Sequence, residues 1–150
     1  MKFMEKDSAF CPDQALDIEK DTFADYVYQM EDVAGFEFKC IKCIRRALTE
    51  RIGAFAESGC KTADHTLARV PYGEAPLEEL TAIFKKGLAG EALTEAQIDA
   101  YKTDLLLTCA REYAKRGMVM QLHAGDDPEG NLARLTGKLE SEGLKPEIVC

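Results

Sequence analysis

Two histidines and an aspartate are the candidates for proton-transfer chemistry. His65 lies in the stretch GCKTADHTLARV, directly after Asp64, and His123 lies in RGMVMQLHAG. An imidazole titrates near neutral pH and can move a proton, and a nearby carboxylate can orient it. We therefore take Asp64, His65 and His123 as the candidate catalytic residues. The alternative for each histidine is a hydrogen bond to a loop carbonyl with no chemical role.

A second candidate is thiol chemistry at Cys40 and Cys43, which form a C-x-x-C motif among six cysteines. This motif occurs in zinc sites and in redox-active dithiols. The sequence contains no second C-x-x-C and no histidine pair near this one, so zinc-ribbon spacing is absent. Both cysteines lie inside a helical pattern, where cysteine is a small buried residue. The sequence thus favours a structural role over a metal or redox role.

Helices and short strands must position these residues. Apolar residues recur at spacings of three and four, as in amphipathic helices, over 21–35, 38–59, 76–90, 94–116 and 127–143. Short apolar runs predict strands over 60–67, 118–123 and 145–150. Strands separated by helices pair in parallel. The predicted fold class is therefore α/β and helix-rich, a partial (β/α)8-barrel-like unit with a few short parallel strands.

The predicted strands also predict where a ligand binds. In parallel α/β folds, ligands bind beyond the carboxyl ends of the strands. His123 lies at such an end, and the Asp64–His65 pair lies at or just past the end of the preceding strand. If these strands are neighbours, both histidines and Asp64 face one rim.

Length and charge restrict the class of protein. The 150 residues fit a single domain, 1–150, and a whole barrel needs about 250 residues. The net charge of −8 argues against nucleic-acid binding, because an acidic surface repels phosphates. The sequence has neither an apolar run of spanning length nor an apolar signal core. We expect a cytoplasmic protein with reduced thiols and no membrane partner.

Three stretches resemble the central segment of the uronate isomerase (glucuronate isomerase) family of the amidohydrolase superfamily. They are CPDQALDIEKDTFADYV, RRALTERIGAFAESGCKTADHTL and GLAGEALTEAQIDAYKTDLLLTCAREYAKRGMVMQLHAG. Their order and spacing match over about residues 10–125, and the combination of GC…DH with MQLHAG is specific. The shortened helix–strand tail, residues 126–150, is similar to a later segment of the same enzymes.

The resemblance implies a function. Members of this family are (β/α)8 barrels that interconvert glucuronate with fructuronate and galacturonate with tagaturonate. The reaction is an aldose–ketose isomerisation through an enediol, with a divalent metal such as zinc at the site. The resemblance places His123, Asp64 and His65 on the rim of the active-site cleft, and it implies a uronate sugar as the partner of the complete enzyme.

The sequence also departs from the family pattern. It lacks the upstream His-x-His metal ligands, the later metal-ligand aspartate and the substrate-binding arginines of the family, and it has Cys11 where the family has an arginine. The loop after the MQLHAG motif is shortened to DDPEG, so we assign no metal or cofactor to this chain alone. We predict that the lone chain does not isomerise uronates.

Two other interpretations stay open. The first is a non-catalytic α/β structural or self-associating module, a possible homo-oligomer, because an open sheet edge and an unpaired helix face favour association. The second is a thiol protein that uses the C-x-x-C motif.

Overall fold

A computed structural model describes residues 9–10 and 13–149, and its helices and strands alternate in the predicted order. The elements are β1 (Ala9–Phe10), α1 (Asp13–Leu16), α2 (Phe23–Ala34), α3 (Ile41–Glu57), β2 (Thr62–Arg69), α4 (Leu77–Leu88), α5 (Glu95–Arg116), β3 (Val119–Asp126), α6 (Asn131–Ser141) and β4 (Glu147–Val149). The short strand β1 and the short helix α1, which precede the first predicted helix, are additions to the predicted set. Cys11, at the position where the family resemblance expects an arginine, lies outside the described residues.

The described strands form one parallel sheet in the order β1-β2-β3-β4. β2 and β3 pair along their whole lengths, from Thr62 opposite Val119 to Arg69 opposite Asp126. The prediction of short parallel strands separated by helices is therefore confirmed.

The two faces of the sheet have different environments because side chains alternate along a strand. On one face, Ala63, His65 and Leu67 of β2 and Met120 and Leu122 of β3 are buried against helices. We call the other side the open face, and its residues are half-buried or exposed. It carries Asp64, Thr66, Val119, Gln121 and His123. Parallel sheets are normally covered on both faces. Residues 13–149 do not provide this cover for the open face, whose side chains stay half-buried or exposed.

Helix α5 carries much of the packed side. It begins at a capping box in which the Gln97 amide donates to Thr94 Oγ1 (3.1 Å) and the Thr94 amide donates to Gln97 Oε1 (2.9 Å), as the sequence predicts. Its predicted apolar stripe, including Leu105 and Tyr113, is buried. No helix of residues 13–149 is long and apolar enough to cross a membrane.

An aromatic cluster joins α5 to the N-terminal helices. The rings of Phe23 and Tyr101 meet edge to face with centroids 5.9 Å apart, and Phe84 stacks on Tyr101 at 6.3 Å. The Tyr101 hydroxyl donates to the Ala15 carbonyl (2.7 Å). Complete burial raises the pKa of Tyr101 above its usual value, so its hydroxyl stays protonated and remains a donor.

The charged face of α3 forms an ion pair with α5. The apolar stripe of this helix, from Ile41 to Phe55, is buried as predicted. On the charged face, Arg45 Nε donates to Asp104 Oδ2 (2.9 Å), and Arg45 Nη2 contacts the other carboxylate oxygen. α3 packs along α5, and this long-range packing supplies a partner that local periodicity does not indicate.

β2 and β3 both extend beyond their predicted ends, to Arg69 and Asp126. Gly125 allows the extension, because a Cβ at this position would lie 2.5 Å from the Ala68 carbonyl oxygen on the neighbouring strand. A side chain there would separate the two backbones. Asp64, His65 and His123 consequently lie within their strands, and the expectation that they lie at the strand ends is wrong.

Candidate active site

The structure brings Asp64 and His123 together on the open face. In the register of β2 and β3, Asp64 is opposite Gln121 and Thr66 is opposite His123. Asp64 and His123 are therefore diagonal neighbours. His123 Nε2 lies 3.8 Å from Asp64 Oδ1, and the two side chains are 39% and 37% exposed. A protonated imidazole would be paired with this carboxylate and would still be accessible to a ligand.

Asp64 Oδ1 is itself buried and accepts no hydrogen bond from the described residues, although the rest of the side chain is accessible. Hydrogen bonds to a carboxylate oxygen are about 2.7–3.0 Å long, so a displacement of the His123 ring by about 1 Å would supply a donor. The orphaned oxygen of Asp64 therefore lies within reach of the His123 ring. The pair is therefore suited to proton transfer at the open face.

His65 points to the opposite side of the sheet. Its side chain is fully buried, and its Nε2 lies 2.8 Å from the Tyr113 hydroxyl on α5. Its Nδ1 lies 3.3 Å from Asp13 Oδ1, without the geometry of a hydrogen bond. The expectation that both histidines face one rim is wrong, because His65 and Asp64 are consecutive strand residues and point to opposite faces.

Asp13, at the start of α1, links the two sides of β2. Its Oδ2 accepts the Thr66 backbone amide (2.9 Å), while its Oδ1 lies near His65. β1 pairs with β2 only at Thr62 and Ala63, so Asp13 provides an acceptor farther along this strand. Sequence reasoning missed Asp13 and Tyr113 as neighbours of His65, since they are 52 and 48 residues away along the chain.

Arg69, the last residue of β2, is the centre of an ion-pair cluster that sequence reasoning also missed. Its guanidinium donates to Asp99 Oδ1 (2.8 Å) and Glu95 Oε1 (2.6 Å), and it also contacts Glu129. The hydrogen bond with Asp99, opposed by desolvation and supported by the other carboxylates, raises the pKa of Arg69. The only signal in the sequence was a charged residue directly after an apolar strand pattern.

A cleft of about 710 Å³ opens at the carboxyl end of β2, where parallel α/β folds bind ligands. Its lining includes Asp13, Thr66, Arg69, Lys20 and Lys102. Lys20 forms an ion pair with Asp17 (3.1 Å), and Lys102 forms one with Glu19 (2.7 Å). The Arg69 guanidinium is likewise paired with carboxylates. An anionic ligand would have to compete with these carboxylates for each cation.

The described residues do not complete a site for the divalent metal that the family resemblance implies. A catalytic zinc takes about three protein ligands. The open face offers one imidazole, from His123, and two carboxylates, from Asp64 and Glu147. Glu147 is held by the Gln121 amide (3.1 Å), and the described donors of this face do not form a group of three within metal-ligand distance of one another. Among residues 13–149, the three side chains with suitable spacing for a metal are Glu95, Asp99 and Glu129, and they enclose the Arg69 guanidinium. That cation already occupies the space between the three carboxylates and offsets part of their charge.

Comparison with known proteins decides the family. The sequence model of glucuronate isomerase matches residues 4–140. This chain belongs to the glucuronate isomerase family. The resemblance seen in the sequence motifs is thereby confirmed.

Individual relatives are similar over most of this chain. A uronate isomerase of Halalkalibacterium halodurans is 44% identical over 116 residues, which cover 77% of this chain and 25% of the relative. A uronate isomerase of Lachnoclostridium phytofermentans is 38% identical over 126 residues, or 84% and 27% of the two chains. The chain thus spans about a quarter of the length of the curated relatives it matches.

The fold is also similar to a solved structure. The crystal structure of uronate isomerase from Thermotoga maritima superposes with a TM-score of 0.74 at 26% identity, covering 78% of this chain and 26% of that one. The helix-rich α/β fold and the similarity in sequence therefore agree.

Proposed function

We propose that this chain forms one segment of a uronate isomerase barrel and supplies part of its active-site wall. The observation that carries the proposal is the open face of a parallel sheet. In a (β/α)8 barrel, helices cover the outer face of the sheet, and the inner face lines the barrel interior. The packed face of this sheet corresponds to the outside of such a barrel, and the open face with Asp64 and His123 corresponds to the inside.

The proposed reaction is the aldose–ketose isomerisation of glucuronate to fructuronate or of galacturonate to tagaturonate. Such an isomerisation moves a proton between adjacent carbons through an enediol, so it needs a group that accepts and returns a proton. His123 is suited to this role because its imidazole is accessible and Asp64 can orient it. A divalent metal in the complete enzyme would polarise the sugar oxygens.

His65 has a positioning role in this proposal. Its hydrogen bond to Tyr113 ties β2 to α5. Asp13 lies beside the His65 ring and accepts a hydrogen bond from the backbone amide of Thr66, the next residue of β2. These contacts fix the position and rotation of β2, and therefore the direction in which Asp64 points toward His123.

We also infer that residues 1–150 fold as one domain and do not isomerise uronates alone. A uronate carboxylate needs a cation or a metal. Arg69, Lys20 and Lys102 at the cleft are each paired with carboxylates. The described donors of the open face do not form a group of three that could hold a metal. A complete site therefore needs groups from outside this segment.

A chimera tests the proposed function. Residues 13–125 of this chain would replace the matching segment of the Halalkalibacterium halodurans uronate isomerase, so that the relative's own residues remain at the position of Cys11 and in the loop after the MQLHAG motif. Glucuronate turnover would be measured with a coupled assay. We expect a functional chimera. His123→Gln should then lower kcat by about 10²- to 10⁴-fold, the usual contribution of a general acid–base group.

Val119→Ala is the matched control for His123→Gln. Val119 lies on the same face of β3, four residues earlier, and is 39% exposed. It is at the amino end of the strand, away from the end at which barrel active sites form. We expect kcat within about twofold of the parent chimera. Equal losses from both substitutions would contradict the proposed role of His123.

The lone chain provides the second test. We expect no turnover of glucuronate or galacturonate by the purified 150-residue protein, with or without added zinc. Family-like turnover would refute the inference that the segment is incomplete. It would leave the role of His123 to be tested by His123→Gln in the same assay.

A non-catalytic, self-associating module is the second candidate, and one surface favours it. β4 is the edge strand of the sheet, and its Ile148 and Val149 side chains are 37% and 42% exposed. Val149 lies on the open face, opposite His123, and Ile148 lies on the packed side, opposite Leu122. Exposed strand edges with apolar side chains favour pairing between chains. Size-exclusion chromatography with light scattering distinguishes the candidates: a concentration-independent dimer favours association, and a monomer argues against it.

A further inference from the structure

Cys40 and Cys43 form a thiol pair at the N-terminus of α3. Cys40 has an extended backbone (φ −155°) and is the N-cap residue, and Cys43 lies in the first turn. Their Sγ atoms are 3.6 Å apart, and both side chains are half-buried. The expectation that both cysteines lie inside a helix is wrong for Cys40, which lies at its boundary and is accessible.

The surroundings favour a thiolate on Cys40. Partial burial alone would raise the pKa of Cys40, but hydrogen bonds from the Cys43 thiol and from the backbone amides of Cys43 and Lys42 lower it overall. These amides belong to the first turn of a 17-residue helix, whose positive end stabilises an anion. The Ile41 amide donates to Thr81 Oγ1 (3.2 Å), which holds this turn against α4.

The other described cysteines have a different environment. Cys60 and Cys109 are both buried. Burial raises the pKa of Cys109 to about 12, so it stays a protonated thiol at neutral pH. Among the cysteines within residues 13–149, the half-buried pair combines solvent access with a neighbouring sulfur, which is the environment of redox-active dithiols.

We propose that Cys40 and Cys43 form a reversible dithiol–disulfide site that reacts with a small anionic disulfide of the glutathione class. The charge near the pair supports this co-reactant. Lys39 and Lys42 flank Cys40 and are both exposed, in a chain whose net charge is −8. Lys39 Nζ lies 4.0 Å from Glu37 Oε2, an exposed and therefore weak pair, so the two ammonium groups still leave net positive charge beside Cys40. An anionic disulfide is attracted to this local positive potential. The site is separate from the Asp64–His123 pair, so it does not depend on the proposed isomerase function.

The reaction is two thiol–disulfide exchanges. The Cys40 thiolate attacks one sulfur of RSSR, forms the mixed disulfide Cys40–S–S–R and releases RS⁻. The Cys43 sulfur, as a thiolate, then attacks Cys40 Sγ and releases the second RS⁻. The two thiol protons go to the released thiolates, so the protein dithiol is oxidised while RSSR is reduced to two RSH. The sulfurs must approach from 3.6 Å to the bond length of about 2.05 Å.

Mass spectrometry of the whole 150-residue protein tests the proposal. Reduced protein is incubated with excess glutathione disulfide, the free thiols are blocked, and the protein is digested with trypsin. Trypsin cleaves after Lys39, Lys42 and Arg45, so the two cysteines separate into the peptides CIK and CIR. We expect these peptides to be recovered as a disulfide-linked pair, and reduced glutathione should separate them again.

Two single variants identify the order of the steps. Cys43→Ser should stop at a glutathione adduct on Cys40, because the resolving thiol is missing. Cys40→Ser should react several-fold more slowly than Cys43→Ser, because it removes the thiol whose lowered pKa favours the reactive thiolate. Far-UV circular dichroism confirms that both variants are folded.

Three results would overturn the proposal. They are recovery of CIK and CIR unlinked after equilibration with excess disulfide, equal adduct rates for the two variants, and linkage of Cys40 to a cysteine other than Cys43. The isomerase proposal would be unaffected by any of them. Conversely, an inactive chimera with a normal CIK–CIR linkage would refute only the isomerase proposal.

Discussion

The buried hydrogen bond between Tyr113 and His65 predicts a measurable loss of stability in Tyr113→Phe. The substitution removes only the hydroxyl, which lies 2.8 Å from His65 Nε2 and also interacts with the Cys109 thiol. Tyr113 is 1% exposed and His65 is fully buried, so water cannot replace the lost partner. The ring itself remains and continues to fill the core.

The magnitude follows from the loss of one buried partner. A neutral hydrogen bond contributes about 1 kcal/mol net, and an unsatisfied buried group costs about 1–3 kcal/mol, so we expect a loss of about 2 kcal/mol. For 150 residues the entropy of unfolding is about 0.3 kcal/mol/K, which converts this loss to a fall in Tm of about 6 °C. Differential scanning calorimetry measures both quantities.

The matched control is Tyr28→Phe. Tyr28 lies on α2 and is 54% exposed, so the same chemical change should alter the free energy of unfolding by less than about 0.5 kcal/mol. A double-mutant cycle of Tyr113→Phe with His65→Leu should give a coupling energy of about 1–2 kcal/mol. Equal Tm values for the two phenylalanine variants, or strict additivity in the cycle, would refute a hydrogen bond between His65 and Tyr113.

Four further predictions address the packing and electrostatics of the sheet, α5 and α6. Gly125→Ala should destabilise the protein by about 1–3 kcal/mol, because its Cβ meets the neighbouring strand. Gly137→Ala, in open space on α6, should raise stability by about 0.5–1 kcal/mol in the same thermal assay. Arg69→Met should lower the free energy of unfolding by about 2 kcal/mol in urea titrations, because it leaves buried Asp99 without its cation, and an unchanged urea midpoint would contradict this. Burial raises the pKa of Cys109 from 9.0 to about 12. The contribution of this protonated thiol to the free energy of unfolding is therefore complete below pH 9 and is lost as the pH rises from 9 to 12. In urea titrations between pH 9 and 12, the free energy of unfolding of Cys109→Ala should fall less steeply with pH than that of the unsubstituted protein.

Much of the helical architecture is determined by neighbours along the chain. The stripe on α5 and the capping box of Thr94 and Gln97 were predictable, because a helix places residues three and four apart on one face whatever it packs against. The order of helices and strands then determined parallel pairing. The motifs GC…DH and MQLHAG were sufficient to indicate the family that the comparison confirmed.

The ends of the strands were less predictable. Apolar runs stop at Leu67 and His123, whereas pairing continues to Arg69 and Asp126. Strand length depends on whether two backbones can approach each other, and at this edge that depends on Gly125. A glycine after an apolar run reads locally as a turn, and only the neighbouring strand shows that it belongs to the sheet.

The candidate site depends even more on tertiary contacts. The sequence alone determined which residue types were available: Asp64, His65 and His123 for proton transfer and a C-x-x-C pair for thiol chemistry. The tertiary structure decided that Asp64 meets His123 while His65 meets Tyr113, and that Cys40 lies at an accessible helix end. The physical reason is range: periodicity records which face of an element a residue occupies, whereas charge pairing and burial depend on which distant element packs against that face.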